Sequence, residues 1–135
     1  MKQELKPVLV ELESSGQECI FTRCKLVEEE SLVLGLVYRS PSSSEENNEE
    51  LNRTIKSIAD TNPTHLAIIG DFNYPEIDWL QERSTASHNH PATKFYKATK
   101  DSFLIQHQLQ PTRFRDGQNP TLDDLVLTNK RGYCT

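Results

Sequence analysis

The sequence predicts a mixed α/β (α+β) domain from three observations. Two short runs, residues 32–38 and 65–69, are almost wholly apolar, as strands buried on both faces are. Between them Leu51, Ile55, Ile58 and Ala59 recur at i, i+4, i+7 and i+8, which is one face of a helix. Ahead of them residues 8–13 and 19–26 read as the two arms of a hairpin, joined by Ser14-Ser15-Gly16-Gln17. Strand, helix and strand with short connections form a βαβ unit. The strands at 32–38 and 65–69 should then be parallel, with their carboxyl ends on one edge of a sheet.

The other elements follow in order. Residues 28–31 form a polar turn, and residues 40–44, with Pro41, form a loop. The helix runs over roughly 47–60 and stops at Asn62-Pro63. Gly70 ends the next strand, and residues 71–90 are polar and irregular. Pro91 can open a second helix, because its missing N–H is unneeded at the first position. Phe95, Ala98, Ser102 and Ile105 carry that helical stripe to about 107. Residues 111–120 form a loop, and residues 122–128 a last strand.

The bulk numbers narrow the function. A chain of 135 residues is one domain or a piece of one. No run approaches the roughly 20 apolar residues of a membrane helix. Residues 1–10 carry Lys2, Glu4 and Lys6, unlike a secretory leader, so an intracellular location without a membrane partner is expected. The net charge of −5 is uneven: −8 in residues 1–80 and +3 in residues 81–135. A nucleic-acid contact would draw on the second segment. The acidic runs at 28–30 and 45–50 read as a solvated turn and a helix start. Three cysteines, an odd number, read as free thiols. Cys19 and Cys24 stand an odd number apart on one strand, so they point to opposite faces and share no metal.

Three polar clusters carry the chemistry. In Ile68-Ile69-Gly70-Asp71-Phe72-Asn73 a buried strand ends, and two oxygen-bearing side chains follow. Sites in α/β sheets lie outside the carboxyl ends of strands. Asp71 and Asn73 can hold a water or a hard cation there, since both offer oxygen. A turn whose side chains bond their own backbone uses the same residues. Tyr38-Arg39-Ser40-Pro41 ends the parallel neighbour, which brings Tyr38 to the same edge. Its phenol can donate to a phosphate oxygen or pack sideways. Asp123-Asp124 opens the last strand. If that strand is antiparallel, its start reaches the same edge, and only one of two adjacent carboxylates can face the site.

These segments together resemble a known family. Val37-Tyr38-Arg39-Ser40-Pro41, then Gly70-Asp71-Phe72-Asn73 with Pro75, Ile77, Asp78 and Trp79, then Gln110-Pro111-Thr112-Arg113-Phe114-Arg115, then Leu122-Asp123-Asp124-Leu125-Val126-Leu127-Thr128-Asn129 stand in the order of the family's motifs. The family is the endonuclease/exonuclease/phosphatase superfamily, and within it the endonuclease of LINE-type (non-LTR) retrotransposons. The likeness spans about residues 19 to 130.

The resemblance implies a deoxyribonuclease-like fold, a two-sheet β-sandwich flanked by helices. It implies metal-dependent hydrolysis of DNA phosphodiesters with Mg or Mn, and a reverse transcriptase in the same polyprotein. Asp71 matches the aspartate that acts on the attacking water. Asn73 matches the asparagine that holds the phosphate or water, and Tyr38 the tyrosine that contacts phosphate. Asp124, rather than Asp123, matches the aspartate that orients a catalytic histidine. Arg113 and Arg39 are candidates for the nucleic-acid backbone, and Asp71 with Asn73 for the metal. Residues 1–135 are expected to be a partial domain of little activity alone. Neither an early strand with a metal-binding glutamate nor a final Ser-Asp-His segment is recognisable in them. The alternatives are a noncatalytic remnant or interaction module on this scaffold, or a phosphatase of the superfamily. Action on genomic DNA would place the protein in the nucleus.

Overall fold

The computed structural model describes residues 6–10, 18–25 and 30–129. Cys134, the turn expected at 14–17 and residues 28–29 lie outside the described residues. Six strands form one sheet in the order β1-β2-β3-β4-β8-β7. They are β1 (Lys6–Val10), β2 (Glu18–Lys25), β3 (Ser31–Tyr38), β4 (His65–Asp71), β7 (Ile105–Gln106) and β8 (Asp124–Thr128). Two helices, α1 (Glu45–Asp60) and α2 (Pro91–Asp101), and a two-stranded ribbon, β5 (Ile77–Asp78) with β6 (Arg83–Ser84), complete the described residues. The class is the mixed α/β one that the periodicities predict.

β3 and β4 are parallel, as a βαβ unit requires. The first hairpin is antiparallel, with β1 on β2 and β2 on β3. β8 runs antiparallel to β4, so its amino end lies beside the carboxyl ends of β3 and β4. α1 starts at an N-cap, where the Ser44 hydroxyl accepts from the Asn47 N–H, and Glu45 and Glu46 occupy the first turn, where the helix dipole favours acids.

α2 ends six residues before the 107 that its stripe suggests. Phe103 takes φ 57°, its N–H donates to Lys100 O, and the Leu104 N–H donates to Thr99 O. These two bonds make a Schellman stop. Glycine usually marks such a stop, and here a phenylalanine fills it, so no residue announced it. The chain then turns into β7, which pairs with β8.

The core lies on one side of the sheet. Phe21, Val33, Val37, Leu66, Ile68, Leu125 and Leu127 pack with Leu51, Ile55 and Ile58 of α1 and Ala92 and Phe95 of α2. Period two sends the alternate residues to the other face. There Ile20 is 57% exposed, Leu36 51% and Ile69 40%. The expectation that residues 32–38 are buried on both faces is therefore corrected. Among the described residues both helices cover the same face. Cys19 and Cys24 form no disulfide among the described residues, and their odd spacing sends them to opposite faces as expected.

A candidate active site at the carboxyl edge of the central strands

β3 and β4 end in the same row, Tyr38 beside Asp71, and Asp71 faces Asp124 across the β4–β8 pair. Paired residues share a face. Tyr38, Asp71 and Asp124 therefore stand side by side on the open face, with Tyr38 and Asp124 exposed and Asp71 half-buried. Gly70 makes this row possible. A Cβ there would overlap the backbone of Val37 in the neighbouring strand.

Beyond Asp71 the chain is pinned. The Phe72 N–H donates to Asp123 O at 2.8 Å, and the Phe72 ring is fully buried. Asn73 follows at φ 53°, a left-handed conformation that asparagine tolerates better than most residues. Its Nδ2 donates to Arg39 O.

Arg39 lies beneath this loop, 5% exposed. Its Nε donates to Asn48 Oδ1 at 2.8 Å, and its Nη1 donates to the carbonyls of Phe72 and Asn73 at 3.0 and 3.1 Å. The guanidinium also sits 3.9 Å from the centre of the Tyr74 ring. Burial lowers the pKa of Arg39 and pushes that of Tyr74 up to about 12, the nearby Arg39 charge opposing the rise. The structure thus places Arg39, a candidate for substrate contact, under the loop as its support.

Arg113 reaches the site from the Pro-Thr-Arg segment. Its Nη2 donates to Asp71 Oδ2 at 2.9 Å and its Nη1 to Asn73 Oδ1 at 2.8 Å. Its Nε lies 3.3 Å from Asp123 Oδ2. Asp123 is buried and also accepts from the Thr121 hydroxyl at 2.9 Å. Thr112 Oγ1 accepts from the N–H groups of both Asp123 and Asp124. Sequence reasoning gave Thr112 no role and set Asp123 aside in favour of Asp124. The one available signal was that adjacent strand residues face opposite ways, so one aspartate had to look toward something other than the open face.

Asp71 carries two further marks. Its Oδ1 is buried with no hydrogen-bond partner among the described residues. Burial raises its pKa, Arg113 opposes the rise, and Asp124 and Asp123 add to it. The oxygens proposed for a metal, Asp71 Oδ2 and Asn73 Oδ1, both accept from Arg113. No three His, Cys, Asp or Glu side chains gather into a metal-holding group among the described residues. As arranged, the Asp71–Asn73 pair faces a guanidinium and does not fit a metal ion.

No described histidine reaches Asp124. His65 begins β4 at the far end from Asp71, and His107 bonds Thr128 at the far end of β8. His90 caps α2, and His88 is exposed in the preceding loop. A cleft of about 250 Å³ opens beside Arg113, lined by Asn73, Arg115, Gln118 and Asn119 among others.

A family model described as endonuclease-reverse transcriptase matches residues 32–132. No curated protein matches the chain. Among solved structures, the endonuclease domain of TRAS1, a telomere-specific non-LTR retrotransposon, matches with a TM-score of 0.63 at 13% identity, over 92% of this chain and 54% of that one. Two mutants of Cimex nitrophorin, each a ferrous NO complex, match with a TM-score of 0.52 at 15% identity, over 93% of this chain and 53% of theirs. The chain spans about half the length of these structures. At such identities the likeness is one of fold, and a fold does not by itself select a chemistry.

Proposed function

This chain belongs to the endonuclease-reverse transcriptase family, and from that premise we propose that its site takes part in hydrolysis of DNA phosphodiester bonds. The observation that carries the reading is the row of Tyr38, Asp71 and Asp124 on one sheet face, with Asn73 two residues beyond. A titratable carboxylate, a phenol and an amide at a strand-end edge are what hydrolytic chemistry on a phosphate needs.

In this reading a water attacks phosphorus, and the bond from phosphorus to one sugar oxygen breaks, that oxygen taking up a proton from solvent to leave as a hydroxyl. Asp71 takes the proton of the water. A carboxyl with a raised pKa is a better proton acceptor than an ordinary one. Tyr38 donates a hydrogen bond to a non-bridging phosphate oxygen, where charge builds up. Asn73 holds the phosphate or the water in line. Asp124 is the acceptor for a ring N–H of a histidine supplied beside it. A divalent ion, magnesium or manganese, is expected of a complete domain and would offset charge on the leaving oxygen. Asp71 and Asn73 do not fit that ion while Arg113 faces them, so no step here passes through it. The partner is DNA, with a reverse transcriptase in the same polyprotein.

The test is nicking of supercoiled plasmid by this chain, with magnesium or manganese. Slow nicking is expected, because no described histidine stands beside Asp124. Asp71→Ala should reduce the rate by about 100- to 10,000-fold, the usual worth of a general base. Nicking that survives Asp71→Ala overturns the role of Asp71. Absence of both nicking and duplex binding overturns the function.

A further inference from the structure

We propose that Arg113 is a positioning residue that keeps Asp71 and Asn73 for water and phosphate and closes them to a divalent cation. The inference rests on the phosphodiesterase reading for its meaning, but its physical content concerns this chain alone.

Each nitrogen of the Arg113 guanidinium is committed. One contact goes to Asp71 Oδ2 at 2.9 Å, one to Asn73 Oδ1 at 2.8 Å and one to Asp123 Oδ2 at 3.3 Å. Asp123 is the anchor of this arrangement. It is 3% exposed and is held in turn by the Thr121 hydroxyl. The backbone bridge between Arg113 and Thr121 fixes the base of the side chain. A planar fork supported in this way has one orientation, which a lysine could not reproduce.

The consequence follows from what a hard cation needs. It would collect the oxygens of Asp71, Asn73 and the nearby aspartates. Two of those oxygens already accept from a positive group, and that group repels a second cation at contact distance. Asp71 Oδ1 is left out of the clamp and without a partner among the described residues. That oxygen is buried, so it can carry a proton but offers no open side to a hydrated cation. Arg113 therefore separates two uses of one carboxylate, proton acceptor and metal ligand, and favours the first.

The test uses neither DNA nor turnover, so it can fail independently of the nuclease reading. Binding of Mn²⁺ is followed by the electron paramagnetic resonance of the free ion, for the parent chain and for Asp71→Asn, Arg113→Gln, Arg113→Lys and the double variant Arg113→Gln with Asp71→Asn. The parent and Asp71→Asn should bind Mn²⁺ equally. Arg113→Gln should gain about tenfold or more in affinity, as removal of a unit charge at contact distance allows. The gain should vanish in the double variant and be smaller in Arg113→Lys, which keeps the charge but not the fork. Mn²⁺ binding in the parent that Asp71→Asn removes would overturn the proposal. A folded Arg113→Gln, checked by circular dichroism, that gains nothing would also overturn it. If Arg113→Gln does not fold, the parent against Asp71→Asn decides: Asp71-dependent binding overturns the proposal, and its absence supports it.

Discussion

Arg39 and Arg113 both touch Asn73, yet burial gives them different work. Arg39 donates to two loop carbonyls and to Asn48 from below the site. Arg39→Met would leave those three acceptors buried and unpaired and should cost about 3 kcal/mol, read by urea unfolding. A surface arginine kept only for phosphate would change stability by less than about 0.5 kcal/mol. Asp71 makes a second residue-scale prediction, and its sign follows from linkage. Its carboxyl titrates above the usual 3.8 in the folded chain, because burial outweighs the Arg113 pair. Above pH 3.8 the folded state therefore holds the proton that the unfolded state has released. Stability from this group is full below that pH and is lost as pH rises through the folded value. Unfolding measured across this acid range should show the parent losing ground to Asp71→Asn as pH rises. A parent advantage that grows with pH would mean that the ion pair outweighs burial.

At the scale of elements, the site depends on how closely β3 and β4 run. Gly70 lets the two backbones meet in the row where Tyr38 and Asp71 follow. Gly70→Ala puts a methyl group against the Val37 backbone, which no rotamer change relieves. It should cost more than about 3 kcal/mol or yield insoluble protein, seen in thermal melts and in the soluble fraction. The strand assignments near the site were legible because period-two and all-apolar runs are strong signals. The end of α2 was not. Ser102 and Ile105 continued the helical stripe, while the stop lay in the backbone of Phe103, which carries no side-chain mark of a left-handed turn.

At the scale of the whole molecule, the sheet is asymmetric. One face carries both helices, and the other leaves Ile20, Leu36 and Ile69 exposed. Contiguous exposed apolar surface promotes association. Leu36→Thr with Ile69→Thr should raise the monomer fraction in size-exclusion chromatography. The thermal midpoint should move little, since neither side chain is in the core. Loss of folding in that variant would show that this face is covered in solution. No described helix is long and apolar enough to cross a membrane.

The sequence by itself determined the strands of the central βαβ unit, the helix between them, their parallel pairing, and the placing of Tyr38 and Asp71 at one edge. Those follow from periodicity and connection length, which are local properties of the chain. The antiparallel run of β8 then brought Asp124 there. Its motifs also carried the likeness to the retrotransposon endonucleases, and the matched residues 32–132 bear out the family. Only the tertiary structure decided where the cations of the site go. Arg39 stands 34 residues from Asn73, and Arg113 stands 42 from Asp71. A charged side chain on a loop reads the same whether it faces solvent, DNA or a carboxylate. Burial and the geometry of three acceptors chose the partners, and neither is written in local spacing.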